Sequence, residues 1–278
     1  MTNLPEKAEI RAAINDYCTD RKVSKAKLAE SLSISSAVLS QIENENWSDI
    51  SEKMWRKIWL KVQPEAGGLV ATANFEAVQR LCQHAQENRL MIGLVGDTGL
   101  GKTTALEHYA RRPRVYLVAV DKTMRPKHFF AALLQEMGVS FGGSLYDIMN
   151  RLVQELNSQQ APLVIIDEAG KLTHQLYLDL HVLRERTKGN VGIVLAGMPY
   201  FKANLQKDVT RQKEGAAEFF RRVNLWLELH RPTRAEIKEV CEAHGVTDAD
   251  TVRAMQQFQD FGSLTNALLL EKLQLASL

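Results

Sequence analysis

The spacing of apolar positions changes along the chain. From residue 8 to residue 62 it is helical: Leu28, Ala29 and Leu32 share one face, Val38, Leu39 and Ile42 share another, and Ile34 falls in a turn between them. Ser35 stands where a helix N-cap is wanted. Gln63-Pro64-Glu65-Ala66-Gly67-Gly68 then breaks the pattern. Beyond it, short β-branched runs at Leu90–Val95, Val115–Val120, Leu163–Ile166, Val191–Ala196 and Val223–Leu229 alternate with amphipathic segments near 102–111, 126–137, 144–157 and 173–187. Such alternation predicts a mainly parallel sheet with right-handed crossovers. After Pro232 the strand signal stops. Thr233-Arg234-Ala235-Glu236 has the form of a capping box, and further helices are expected from Asp248 and Ser263. The predicted organisation is an all-α helix-turn-helix unit over 1–63, a linker at 64–68, an α/β domain over 69–231 and a small helical lid over 232–278.

Composition narrows the class without naming a partner. The 278 residues exceed one ordinary domain, and 45% hydrophobic with 24% charged residues excludes a disordered or fibrous chain. The net charge of +2 is an average over unlike parts. Residues 1–63 carry 10 basic and 9 acidic side chains, residues 69–231 carry 21 and 16, and residues 232–278 carry 4 and 7. Positive charge is therefore concentrated in the middle. Cys18, Cys82 and Cys241 are far apart and lack metal-ligand spacing, which suits a reduced protein. No apolar run approaches the roughly 18 residues a membrane helix needs, and Met1–Ile10 carries Pro5, Glu6, Lys7 and Glu9 in place of a signal-peptide core. A soluble, cytoplasmic protein is expected.

Gly96-Asp97-Thr98-Gly99-Leu100-Gly101-Lys102-Thr103 satisfies the phosphate-loop pattern GxxxxGK[ST], follows an apolar strand and opens a helix at Thr104. Glycines at these places let backbone N–H groups turn toward phosphates, and the helix N-terminus adds a favourable dipole. Lys102 would reach the β- and γ-phosphates of ATP, and the Thr103 hydroxyl would ligate Mg²⁺. Leu163-Val164-Ile165-Ile166-Asp167-Glu168 ends a buried-strand run in two carboxylates, at the strand end where doubly wound sheets hold ligands. Asp167 is expected in the Mg²⁺ shell and Glu168 as the base that orients or deprotonates water, which favours an ATPase over a small-molecule kinase.

In the amino-terminal unit Ser36, Ala37, Ser40 and Gln41 would face base edges, and Arg21, Lys22, Lys25 and Lys27 would face phosphates. The second helix carries no Lys or Arg and ends at Glu43 and Glu45, so any sequence specificity is expected to be modest. Residues 8–62 resemble the repressor-type helix-turn-helix family.

As a whole the residues resemble the AAA+ ATPases that serve DNA transposition, the Mu B type more closely than the TnsC and IstB types. The stretch Leu163–Gly197, LVIIDEAGKLTHQLYLDLHVLRERTKGNVGIVLAG, carries the likeness beyond the generic nucleotide motifs. The resemblance implies an ATP-dependent, non-specific DNA-binding protein that forms a homo-oligomeric filament on double-stranded target DNA. It would recruit and stimulate a transposase and disassemble on hydrolysis. Val70–Phe75, with Thr72, matches the segment near adenine in that group, and Phe219-Phe220-Arg221-Arg222-Val223 matches the place where a subunit offers an arginine to its neighbour's γ-phosphate. Either Arg221 or Arg222 could serve. Inward loops on the DNA backbone would correspond to Lys122, Arg125 and Lys127, and to Lys171; Arg184, Arg186 and Lys188 form a further basic cluster facing DNA or an adjoining subunit. Two departures, Met198 at a γ-phosphate-sensing position and Thr265 near the arginine position of the last helix, imply slow hydrolysis or a different sensing geometry. The competing readings are a helicase-loader or chaperone-like AAA+ protein, and a helix-turn-helix transcription regulator gated by ATP.

Overall fold

The computed structural model describes residues 6–21, 23–32, 34–47, 50–62, 69–187 and 189–275. The expected linker at 64–68, together with Lys22 and Lys188, lies outside them. Five strands, β1 (Met91–Val95), β2 (Val115–Ala119), β3 (Leu163–Asp167), β4 (Gly192–Gly197) and β5 (Leu225–Glu228), pair in parallel in the order β2-β3-β4-β1-β5. The continuous apolar runs arise because both faces of the central strands are covered. In β3, Leu163 and Ile165 pack to one side while Val164 and Ile166 pack to the other; in β4, Val194 and Ala196 oppose Ile193 and Leu195 in the same way. Each fully buried Leu or Ile contributes about 1.5–3 kcal/mol relative to exposure. α5 (Ala73–Asn88) and α6 (Lys102–Tyr109) cover the first face. α7 (Pro126–Glu136), α8 (Leu145–Asn157), α9 (His174–Arg186), α10 (Pro199–Thr210) and α11 (Ala216–Arg222) cover the second.

All five expected strands are present, with β5 shorter than the run Val223–Leu229; it is an edge strand bonded only to β1. Gly93 of β1 lies opposite Trp226 of β5, and a Cβ at Gly93 would come within 2.2 Å of the indole ring. A glycine is therefore required there to seat the largest side chain of the edge strand. The pattern did not assign α5, α10 or α11. α10 buries only Phe201 and Leu205, and α11 only Ala216 and Phe219, so neither shows a long apolar stripe.

In the amino-terminal part, α1 (Lys7–Arg21), α2 (Lys25–Ser31), α3 (Ser36–Glu43) and α4 (Glu52–Val62) share a core that includes Ile10, Leu28, Leu39, Ile42, Trp55 and Ile58. The Ser35 hydroxyl accepts the Ala37 N–H at 3.2 Å, which caps α3 as expected. Ser36 and Ser40 are exposed and Gln41 is half-buried. Two basic side chains are committed within the unit: Lys25 pairs with Glu43, and Arg11 with Glu45. Lys25 was expected at phosphate, and its ammonium instead neutralises the acidic end of α3.

α12 (Arg234–Ala243), α13 (Ala249–Met255) and α14 (Phe261–Leu275) enclose a separate small core with Ile237, Val240, Cys241, Leu264 and Leu268. The Thr233–Glu236 capping box and the Asp248 cap form as the sequence implies. α14 begins at Phe261, ahead of Ser263, because the Asp260 carboxylate takes the Ser263 N–H at 2.7 Å and its hydroxyl at 2.8 Å.

Candidate nucleotide site

The carboxyl ends of β1 and β3 lie on either side of β4, and their following loops bring the phosphate loop and the two acids together. Gly99 and Gly101 have φ of +75° and +83°, a region that disfavours side chains, and Gly101 is the residue from which α6 starts. Leu100 between them is buried, whereas Asp97, Thr98, Thr103 and Thr104 remain exposed. Lys102 Nζ donates to the carbonyls of Gly96 at 2.7 Å and Asp97 at 2.6 Å, which keeps the ammonium inside the loop. Burial lowers the Lys102 pKa below that of an ordinary lysine, while Asp167, Glu168 and Asp97 oppose the shift. The Thr103 hydroxyl donates to Asp167 Oδ2 at 2.7 Å, and Asp167 Oδ1 accepts the Glu168 N–H at 2.8 Å. A hydroxyl and a buried carboxylate in contact form a hard-oxygen pair that fits Mg²⁺ once phosphate oxygens complete the shell. Among the described residues no group of three or more His, Cys, Asp or Glu forms a self-sufficient metal centre.

Glu168 is held in the left-handed region, φ 57° and ψ 34°, at the start of a 3-10 turn over Ala169–Lys171. Non-glycine residues there carry a conformational cost, and such outliers concentrate at functional sites. The turn folds Lys171 back so that its Nζ lies 3.2 Å from Glu168 Oε2. The pair is partly exposed, at 34% and 43% of the side chains, so it contributes only about 0–1 kcal/mol. Lys171, expected on DNA, thus touches the expected base.

The carboxy-terminal helices contact the phosphate loop and the segment before α5, and that segment contacts the same loop. The Thr72 hydroxyl caps α5 by accepting the Phe75 N–H at 3.2 Å. Asn74 Nδ2 donates to the carbonyls of His230 at 2.7 Å and Leu100 at 3.5 Å, and Asn74 Oδ1 accepts the His230 N–H at 3.2 Å. The Ala73 N–H donates to Glu236 of α12 at 2.9 Å. From α14, the N–H groups of Phe261 and Gly262 donate to the Gly99 carbonyl at 2.8 and 3.2 Å. Asp260 is packed against Gly99 so closely that a Cβ there would lie 2.2 Å from its carboxylate. Asn74 lies in the expected Val70–Phe75 segment, whereas the contacts of Asp260 and Phe261 with Gly99 join residues far apart in the chain that no local pattern links.

Residues 83–205 match the AAA domain family. The chain is 24% identical over 267 residues to the Mu-like prophage FluMu DNA transposition protein B of Haemophilus influenzae, covering 90% of each chain. It is 22% identical to the ATP-dependent target DNA activator B of Escherichia phage Mu, covering 90% of this chain and 82% of that one. The chain is similar to the AAA+ ATPases of Mu-type DNA transposition. Among solved structures, the Aeropyrum pernix ORC2 protein, determined in ADPNP and ADP complexes, shares the fold with a TM-score of 0.55 at 16% identity. That match covers 74% of this chain and 62% of the other.

The remaining expected residues lie elsewhere on the domain. Met198 follows β4, between the strands that carry the phosphate loop and the acids. Lys122, Arg125 and Lys127 are exposed on the loop after β2 and at the start of α7, one strand away from Glu168. The loop is braced by Asp121, which accepts the Thr123 N–H and hydroxyl, each at 2.6 Å. Those bonds hold the Asp121 carboxyl below the usual range, with the Lys171 charge adding to them. Arg221 and Arg222 end α11 just before β5, at the opposite ends of the strands from the phosphate loop. Arg222 pairs with Glu185 at 2.7 Å, while Arg221 is exposed and makes no ion pair among the described residues. Arg184 is part-buried. It donates to the carbonyls of Arg89 and Val191, both at 2.7 Å, and so ties together the starts of β1 and β4. Arg186 donates to Asn150 at 2.7 Å. Among the described residues no helix is long and apolar enough to cross a membrane.

Proposed function

We propose that this chain is an ATP-dependent activator of target DNA in a Mu-type transposition system. It assembles with ATP on double-stranded DNA without strong sequence preference, presents that DNA to a transposase, which it stimulates, and disassembles on hydrolysis. The observation that carries the reading is a likeness running over 90% of the chain to proteins named for DNA transposition and target DNA activation, joined to a phosphate loop whose Lys102 and Thr103 contact the loop carbonyls and Asp167.

The chemistry follows from the residues. Backbone N–H groups of the phosphate loop and the Lys102 ammonium receive the β- and γ-phosphates. Thr103 and Asp167 would hold Mg²⁺, which would supply charge neutralisation at the phosphoryl oxygens. Glu168 takes a proton from water as its oxygen bonds to the γ-phosphorus and the bond from that phosphorus to the ADP oxygen breaks, giving ADP and inorganic phosphate. Arg221 faces outward and serves the neighbour's γ-phosphate, so hydrolysis depends on assembly. Lys122, Arg125 and Lys127 contact the DNA backbone, where assembly multiplies weak contacts. The amino-terminal helices form a helix-turn-helix unit, the three carboxy-terminal helices a lid, and residues 64–68 the linker between the first two units. Sedimentation with random duplex DNA tests the reading: wild type pellets with ATP and not without it, Lys102→Ala fails to assemble, and Glu168→Gln remains assembled after ATP addition. Equal DNA binding by all three with and without ATP refutes the assigned roles.

A further inference from the structure

Outside the nucleotide site, a cavity of about 260 Å³ opens between the turn Ala169–Lys171, the start of α9 and the later part of α10. None of its lining residues belongs to the phosphate loop. Its chemistry is cationic: Lys207 and Arg211 come from the end of α10, Lys213 from the connection to α11, and His174 from α9. Asp208 is the acid among the described lining residues, and it is already paired with Lys213 at 3.1 Å. Lys207 and Arg211 make no ion pair among the described residues. The helix dipole favours cations at the carboxyl end of α10, but it does not explain their convergence with groups of α9. One of those groups is the Tyr177 hydroxyl, which has no hydrogen-bond partner among the described residues. Burial pushes its pKa up to about 12, with the Asp208 charge adding, so it remains a donor at neutral pH. The ring beneath it is fixed: Tyr177 stacks on buried Phe201 at 6.5 Å and lies 5.0 Å from buried Phe219.

We propose that this cavity is a second phosphate site, separate from the nucleotide site, in which Lys207, Arg211, His174 and the Tyr177 hydroxyl receive the oxygens of one phosphate group. Size selects the ligand first. The cavity falls below the roughly 300–1,000 Å³ of pockets that enclose a whole small molecule, and one phosphate with a few waters fits it. Geometry selects it next. A guanidinium fork, an ammonium, a ring N–H and a hydroxyl approach from two helices, which suits four tetrahedral acceptor oxygens better than the two coplanar ones of a carboxylate. The phosphate is either free inorganic phosphate or one group of a duplex backbone; the second source rests on the DNA binding proposed above.

The test titrates inorganic phosphate into the full chain by calorimetry, with a non-hydrolysable ATP analogue filling the phosphate loop and chloride at equal ionic strength as the blank. Wild type should bind phosphate saturably. The double variant Lys207→Ala/Arg211→Ala, altered only at exposed positions, should lose that binding. Tyr177→Phe, which keeps the ring packing, should weaken it about tenfold, as expected for one hydrogen bond to a charged group. Phosphate binding that is absent in wild type, or unchanged in the double variant, overturns the proposal. So does acetate binding as tightly as phosphate, which would make the pocket a seat for an acidic side chain. Anisotropy titrations of random duplex DNA over a salt series then assign the source. A log–log slope shallower by about 0.9 in the double variant identifies a backbone phosphate as the occupant, and an equal slope identifies free phosphate. If wild type binds no DNA at all, the DNA-binding reading of the chain falls, while the phosphate titration still decides the pocket.

Discussion

Arg221 and Arg222 are neighbours in sequence and unlike in setting. The first projects into solvent, and the second is fixed to Glu185 beside Arg184. We expect Arg221→Ala to lower hydrolysis in the assembled state by about 10³-fold or more, the loss typical when an arginine leaves a phosphoryl-transfer site, with an unchanged melting temperature. Arg222→Ala should leave most of the activity and lower stability by no more than about 1 kcal/mol, because its pair is partly exposed. Calorimetry alongside ATPase assays of the two variants distinguishes these outcomes, and the reverse pattern would exchange their roles. The sequence marked the pair and could not divide it, since the division depends on Glu185 in another helix. The phosphate loop and Asp167-Glu168 were legible because their chemistry is local, each motif holding its own spacing at a strand end. The engagement of Lys171 with Glu168 was written three residues apart and still invisible, because it needs the positive φ of Glu168.

At the level of elements, caps were read well and contacts between elements were not. Thr233 and Glu236 announce the start of α12, but only the fold shows that the same carboxylate also accepts the Ala73 N–H ahead of α5. Burial pushes the Glu236 carboxyl up, and the bonds from Thr233 and Ala73 outweigh it, so the group ends below the ordinary glutamate range. A carboxylate depressed in the folded state contributes stability that is complete above its unfolded value, about 4.3, and is lost as pH falls through the lower folded value. Wild type should therefore lose stability in this acidic window more steeply than Glu236→Gln. Urea denaturation followed by circular dichroism at pH 5 and pH 3 measures the difference; parallel losses would mean that the tie between α12 and α5 carries no pH-dependent stability. α10 and α11 remained unread for a different reason, since two buried apolar side chains each give too little periodicity to recognise.

For the whole molecule, the distribution of charge matters more than its sum. The chain carries +2, and in the amino-terminal unit Lys25 and Arg11 pair with that unit's own acids. Backbone contacts by Lys122, Arg125 and Lys127 would give the logarithm of the binding constant a slope near −2.7 per protomer against the logarithm of salt concentration, at roughly −0.9 for each duplex phosphate neutralised. Replacing all three by alanine should remove most of that slope in ATP-dependent binding, as anisotropy titrations over a salt series would measure. A slope retained in full would move the DNA contact to another surface.

The order of the strands also governs when the site can exist. β1 has the phosphate loop at its end, yet its two partners in the sheet, β4 and β5, lie about a hundred residues or more later in the chain. At a synthesis rate of roughly 5–20 residues per second, β1 waits several seconds on the ribosome before either neighbour emerges. Pairing across such separations is slow to form, and the waiting strand is apolar on both faces. Until β5 has been made, the strand that carries the phosphate loop lacks its edge partner, because Leu225–Glu228 is the last of the five strands in chain order.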